Sequence, residues 1–125
     1  MRFLRVGSLV VVPLLASGAA YSASLDLGGR YGNANGCKFP TEYSSEGDDM
    51  LLLEDGAVTS FATSCEILQV LPASDGSRVA TVLCSHEGDE LKTASMMRID
   101  RKADADAYLV YDGDGSLWGE VAKCP

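Results

Sequence analysis

From Met50 to its C-terminus the chain is a series of short apolar or alternating runs, each about five to eight residues long, separated by turn residues at regular intervals. Alternation places one set of side chains on each face of a strand, so this texture predicts an antiparallel β meander. A first hairpin is expected to join Met50–Leu53 to Ala57–Phe61 through Glu54-Asp55-Gly56, with the Asp-Gly pair supplying the positive φ of a tight turn. Cys65–Leu71 and Arg78–Cys84 come next, linked by residues 72–77. Thr93–Arg101 follows a polar connection at Glu87–Glu90. The last pair is Ala107–Tyr111 and Leu117–Lys123, turned by Asp112-Gly113-Asp114-Gly115. Residues 24–49 lack this pattern and are rich in Gly, Asn, Ser and acids; one short strand, Leu25–Tyr31, is expected there. No window of about 11 residues or more after the N-terminal segment keeps a clear helical period, although Arg101–Ala107 has room for a single turn.

Seven or eight short strands on so short a chain must close or stack, because an open sheet leaves its edges and one apolar face in water. The expected fold is therefore all-β: a small antiparallel up-and-down β-barrel, with a sandwich as the alternative.

The first residues have a different character. Arg2 and Arg5, an apolar run from Val6 to Leu15 broken by Gly7, Ser8 and Pro13, and small residues from Ala16 to Ala20 reproduce the order of a cleavable signal peptide. The apolar stretch is about half of the roughly 20 residues that a spanning helix needs. Cleavage is expected after Ala20, or as late as Ala23. That leaves residues 21–125 as one barrel-like domain with an irregular segment over 32–49. No cysteine near the cut accepts a lipid, so no membrane anchor is expected after cleavage, and the destination is periplasmic or secreted.

Charge narrows the partners. The chain carries 18 acidic against 10 basic side chains, a net charge of −8, and loss of Arg2 and Arg5 takes the balance to about −10. Nucleic acid and anionic membrane surfaces repel such a chain. Acidity on this scale serves solubility or docking on a cationic protein.

Four cysteines behind a signal peptide point to two disulfides, and four cysteines allow three connectivities. In an antiparallel hairpin, opposed positions have a constant sum. A symmetric turn about Ser74-Asp75 sets that sum at 149, which Cys65 and Cys84 satisfy, with Ile67 opposite Val82. The remaining bridge is Cys37–Cys124, from the loop after the first strand to the last strand. No cysteine has a cysteine neighbour at metal-ligand spacing, Cys84 and His86 are the only close pair, and no Cys-x-x-Cys occurs. No metal, cofactor or thiol redox centre is therefore expected.

Other candidates for chemistry are sparse. His86 is the only histidine, and Ser85 beside it points to the opposite face of a strand; the expected role of His86 is a solvated residue in the connection after Cys84. Glu87, Asp89 and Glu90 offer paired carboxylates for glycosidic cleavage, but in a polar turn with nothing to raise a pKa. Asp112-Gly113-Asp114-Gly115-Ser116 has the alternating oxygens of a calcium loop, yet Leu117 and Lys123 stand where the EF-hand pattern wants glycine and glutamate, so a plain turn is expected. Gly28-Gly29 and Gly32–Gly36 lack the lysine and following helix of a phosphate loop, and read as a flexible turn into Cys37. Trp118 and Tyr31, Tyr43, Tyr108 and Tyr111 are expected mostly in core or barrel-end packing.

Gly29-Arg30-Tyr31 resembles the Gly-x-Trp element that opens lipocalin-like and avidin-like barrels, with tyrosine in place of tryptophan. The layout is also similar to that of small periplasmic lysozyme-inhibitor barrels, which are exported and disulfide-bearing; their Ser-Gly-x-x-Tyr motif is absent, the nearest segment being Thr93–Met97. These resemblances imply architecture and carry no site residues. The expected function is a non-enzymatic, exported binding module with an unidentified protein partner, in one version an inhibitor of a cationic enzyme. The alternative is a small-molecule binder using a lipocalin-like interior, which Leu51, Leu53, Val58, Ile67, Leu68, Val82 and Ile99 would exclude by filling that interior.

Overall fold

A computed structural model describes residues 7, 10–14, 23–39 and 49–125. Most of the expected signal peptide, the expected cleavage site after Ala20 and Tyr43 lie outside the described residues. Strands form at β1 Tyr31–Gly32, β2 Leu51–Glu54, β3 Ala57–Ser60, β4 Thr63–Pro72, β5 Arg78–His86, β6 Thr93–Arg101, β7 Ala107–Tyr111 and β8 Leu117–Lys123, with a five-residue helix, α1, at Ala34–Lys38. Each strand pairs antiparallel with the next, and β1 pairs with both β2 and β8, so the sheet is a closed up-and-down barrel rather than a sandwich. Closure removes the edges that an open sheet of this size would expose.

Inward positions carry the core. Leu53, Val58, Val82, Ile99, Val110 and Val121 are all at most 1% exposed, and each such burial stabilises by about 1.5–3 kcal/mol before entropy is counted. Cys37 is bonded to Cys124 and Cys65 to Cys84, the connectivity expected from the sequence. Two disulfides fit an oxidising compartment. Among the described residues no helix is long and apolar enough to cross a membrane.

The structure departs from the sequence reading at several places. Leu25–Tyr31 is not a strand. Asp26 and Gly28 take left-handed φ values of 52° and 75°, which break the extended run. Leu25 and Leu27 are nevertheless buried. The Leu25 N–H donates to Asp55 O at 2.9 Å, the Leu27 N–H to Asp55 Oδ1 at 2.7 Å, and Arg78 Nη1 to Leu25 O at 2.7 Å. The segment thus covers the barrel end that carries the β2–β3, β4–β5 and β6–β7 connections. The same contacts brace the Asp55-Gly56 turn, where neither residue takes a positive φ.

Gly32–Gly36 is not a flexible turn either. Asn33 caps α1 by accepting from Gly36 N at 2.7 Å. Its Oδ1 also accepts from Leu51 N at 3.1 Å, and its Nδ2 donates to Asp49 O at 3.0 Å. β5 runs past Cys84 to His86, so His86 is a strand residue and not part of the loop. Leu68 does not join the core. It sits at a bulge in β4 and is 46% exposed.

Candidate functional site

The opposite barrel end carries the β1–β2 segment with α1 and the β3–β4, β5–β6 and β7–β8 connections. Toward this end the inward positions keep their alternation but change chemistry. On β4 the series Ile67, Cys65, Thr63 becomes polar, as do Val82, Cys84, His86 on β5 and Met97, Ser95, Thr93 on β6. Register sets these residues side by side: Thr63 opposes both Ser60 and His86, Cys84 opposes Thr93, and Val82 opposes Ser95. The result is a cavity of about 350 Å³, lined by these hydroxyls, His86, Asp112 and Trp118, with the Cys65–Cys84 disulfide and Met97 contributing its apolar part.

Thr63 Oγ1 and His86 Nδ1 lie 3.0 Å apart, which fixes the ring in the cavity wall. Asp112 is held by the β7–β8 turn: its N–H donates to Ser116 O at 2.8 Å, and its Oδ1 accepts from Gly113 N at 2.5 Å. The turn lies close against β6, because a Cβ on Gly113 would stand 3.0 Å from both Met96 O and Ser95 Oγ. Among the described residues the second carboxylate oxygen of Asp112 has no hydrogen bond. Trp118 is partly buried, packs against the core and turns into the cavity. A more open hollow of about 310 Å³ shares Ser60, Thr63 and His86 and is lined also by Phe39, Met50 and Phe61.

The remaining sequence candidates are dispersed. Ser85 is exposed on the outer side of β5. Glu87, Asp89 and Glu90 are exposed in the β5–β6 loop at the open end. Asp112–Ser116 is a turn closed by Gly115 N to Asp112 O at 2.9 Å. Asp114 there accepts from Ser116, which lowers its pKa below the usual carboxylate value. Among the described residues no three His, Cys, Asp or Glu side chains gather as a metal-binding group. Tyr31 and Tyr108 pack edge to face at the covered end, centroids 5.0 Å apart, and Arg98 lies over Tyr111 at 4.1 Å.

Acids stand at both ends, with Asp26, Asp55, Asp75, Asp104 and Asp106 at the covered one, and the ends differ in their cations, of which the described open end has Lys38 and Lys92. Glu87, Asp89, Glu90, Asp112 and Asp114 stand on the open-end connections with Lys92 among them. Arg30, Arg78, Arg101, Lys102 and Lys123 lie toward the covered end. There Arg30 pairs with Glu54 at 3.6 Å and Lys102 with Glu120 at 2.8 Å. None of the open-end acids is in an ion pair among the described residues.

Comparison of the chain with protein-family models, with curated proteins and with solved structures finds no match. The resemblances to lipocalin-like and lysozyme-inhibitor barrels therefore remain likenesses of layout. The site rests on its own geometry.

Ser60, Thr63, Thr93 and Ser95 were not singled out by sequence reasoning. The signal that finds them is parity carried across register: with Cys65 and Cys84 inward, Thr63 is inward on β4, and Ser60 opposite it on β3 and Thr93 and Ser95 opposite Cys84 and Val82 on β6 share that face. A hydroxyl at such a position marks where the core stops.

Proposed function

We propose that this chain is an exported, non-enzymatic binding module that docks a cationic protein against the open end of its barrel. The carrying observation is the coincidence, at one end, of a cavity lined by Asp112 with Glu87, Asp89 and Glu90 on the β5–β6 connection, which form no ion pair among the described residues. An anionic rim steers a cationic partner and accelerates its encounter. The disulfides and the signal-like N-terminus support a periplasmic or extracellular site of action. Against catalysis stands the isolation of the Thr63–His86 pair: among the described residues no carboxylate or carbonyl bonds the imidazole to orient it as a base.

Lysozyme is a suitable cationic probe. Association is expected at low ionic strength, to weaken steeply with added salt and to be lost in the Glu87→Lys/Glu90→Lys variant. Absence of association at low salt overturns the reading.

A small-ligand reading has one observation in its favour, the cavity of about 350 Å³, which lies in the range of small-molecule sites. It places the ligand at the mouth. Deeper in the barrel Leu53, Val58, Ile67, Val82 and Ile99 occupy the space.

A further inference from the structure

Resting on the docking reading above, we propose that the mouth cavity receives one arginine side chain of the cationic partner, with its guanidinium paired to Asp112 and stacked on Trp118. The lining selects for a group of this kind. Asp112 and the hydroxyl oxygens of Ser60, Thr63, Thr93 and Ser95 are acceptors, and among the described residues no lysine or arginine lines the cavity. A guanidinium has five donors, no acceptor and a planar face, so it meets several of these oxygens at once. An anion would instead face the Asp112 carboxylate.

Geometry at Asp112 supports the same assignment. The Gly113 N–H fixes one carboxylate oxygen at 2.5 Å, and the other is open to an incoming donor. Trp118 supplies the ring on which a guanidinium stacks most favourably. The surroundings suit burial of a charge pair under a partner. Phe61, Leu91 and Leu117, exposed to 38%, 82% and 55%, stand on the open-end connections or at the strand that follows them. A partner laid over these side chains excludes water from the pair beneath, the arrangement in which arginine becomes an energetic hot spot.

Trp118 is the only tryptophan. The full chain grown with 5-fluorotryptophan therefore carries one fluorine resonance that reports on the cavity. The probes are lysozyme, lysozyme with its arginines blocked by a dicarbonyl reagent, and an uncharged monosaccharide. Native lysozyme is expected to shift the resonance, and the arginine-blocked form to bind at least about tenfold more weakly. Asp112→Asn, which keeps the oxygen that Gly113 uses, is expected to weaken binding by about tenfold or more without moving the Tm. Lysozyme binding that leaves the resonance unmoved, or that Asp112→Asn does not weaken, overturns this inference and leaves the docking reading standing. No binding of lysozyme at low salt overturns both. A resonance that moves with the monosaccharide, where lysozyme does not bind at low salt, overturns both in favour of the small-ligand site.

Discussion

Cys65 and Cys84 face each other across β4 and β5 with their Cα atoms 4.0 Å apart, yet the turn between them is not centred where that pairing requires. The turn closes from Ala73 N to Ser77 O at 2.8 Å and is centred on Asp75, and Pro72 opposes Arg78. Continued without interruption, that register would set Cys65 opposite Ser85. A bulge at Leu68 absorbs one residue and restores the pairing of Ile67 with Val82 and of Cys65 with Cys84. The same bulge turns Leu68 outward.

Deletion of Leu68 should therefore leave the cysteine pairing intact, because removing the extra residue of a bulge preserves the register on both sides of it. Peptide mapping without reduction is expected to recover Cys65–Cys84 and Cys37–Cys124 from the deletion variant. A free Cys65 or a new Cys37–Cys65 link would show that the bulge does not set the register.

The two disulfides should differ in their contribution to stability. Cys37–Cys124 spans 87 positions and Cys65–Cys84 spans 19. By the chain-entropy estimate they contribute about 4.5 and about 3 kcal/mol. Urea unfolding of Cys37→Ala/Cys124→Ala and of Cys65→Ala/Cys84→Ala measures the difference. A larger loss for the Cys65–Cys84 pair would show that its packing inside the barrel, at 1% and 4% exposure, outweighs loop length.

Among the described glycines Gly36 has the tightest constraint. A Cβ there would stand 1.9 Å from Leu51 O, the carbonyl that accepts from Asn33 N at 3.1 Å. Gly36→Ala is expected to push α1 off β2 and to cost about 3 kcal/mol. Gly56→Ala is the control: a Cβ there meets nothing within 4 Å and its φ is not left-handed, so the change should fall within about 0.5 kcal/mol. Thermal unfolding of both variants checks the contrast.

The strands of the second half were legible because their pattern is strictly local. Thr93–Arg101, Ala107–Tyr111 and Leu117–Lys123 form over the ranges that alternation and turn residues predict. Positions 24–39 were not legible, because long-range contacts decide them. Leu25 and Leu27 alternate like a strand, but Asp55 and Arg78, distant in sequence, capture their backbone as a cover for the barrel. α1 is too short to show a helical period and depends on Asn33 and Leu51. The polar neighbours Glu87 and Asp89 predict a loop at His86, whereas its ring continues the inward series of β5. The open end was hidden because its hydroxyls lie on three strands and gather only through cross-strand register.

Tyr31 gives a pH-dependent test of the covered end. Its hydroxyl donates to Asp106 Oδ1 at 2.6 Å, and that bond, with burial and the carboxylate charge, pushes the phenol from 10.0 up to about 12. The folded-state value lies above the unfolded one, so the bond contributes fully below pH 10 and is lost as pH rises toward 12. Tyr31→Phe should be less stable than the parent by about 1.5–2 kcal/mol near pH 8. The gap should narrow steadily between pH 10 and 12, because the parent alone loses the bond there. Absorbance of tyrosinate near 295 nm provides an independent reading: the parent should show a late-titrating phenol that Tyr31→Phe lacks. A stability gap that stays constant across this window would mean that Tyr31 acts through its ring packing on Tyr108 and not through Asp106.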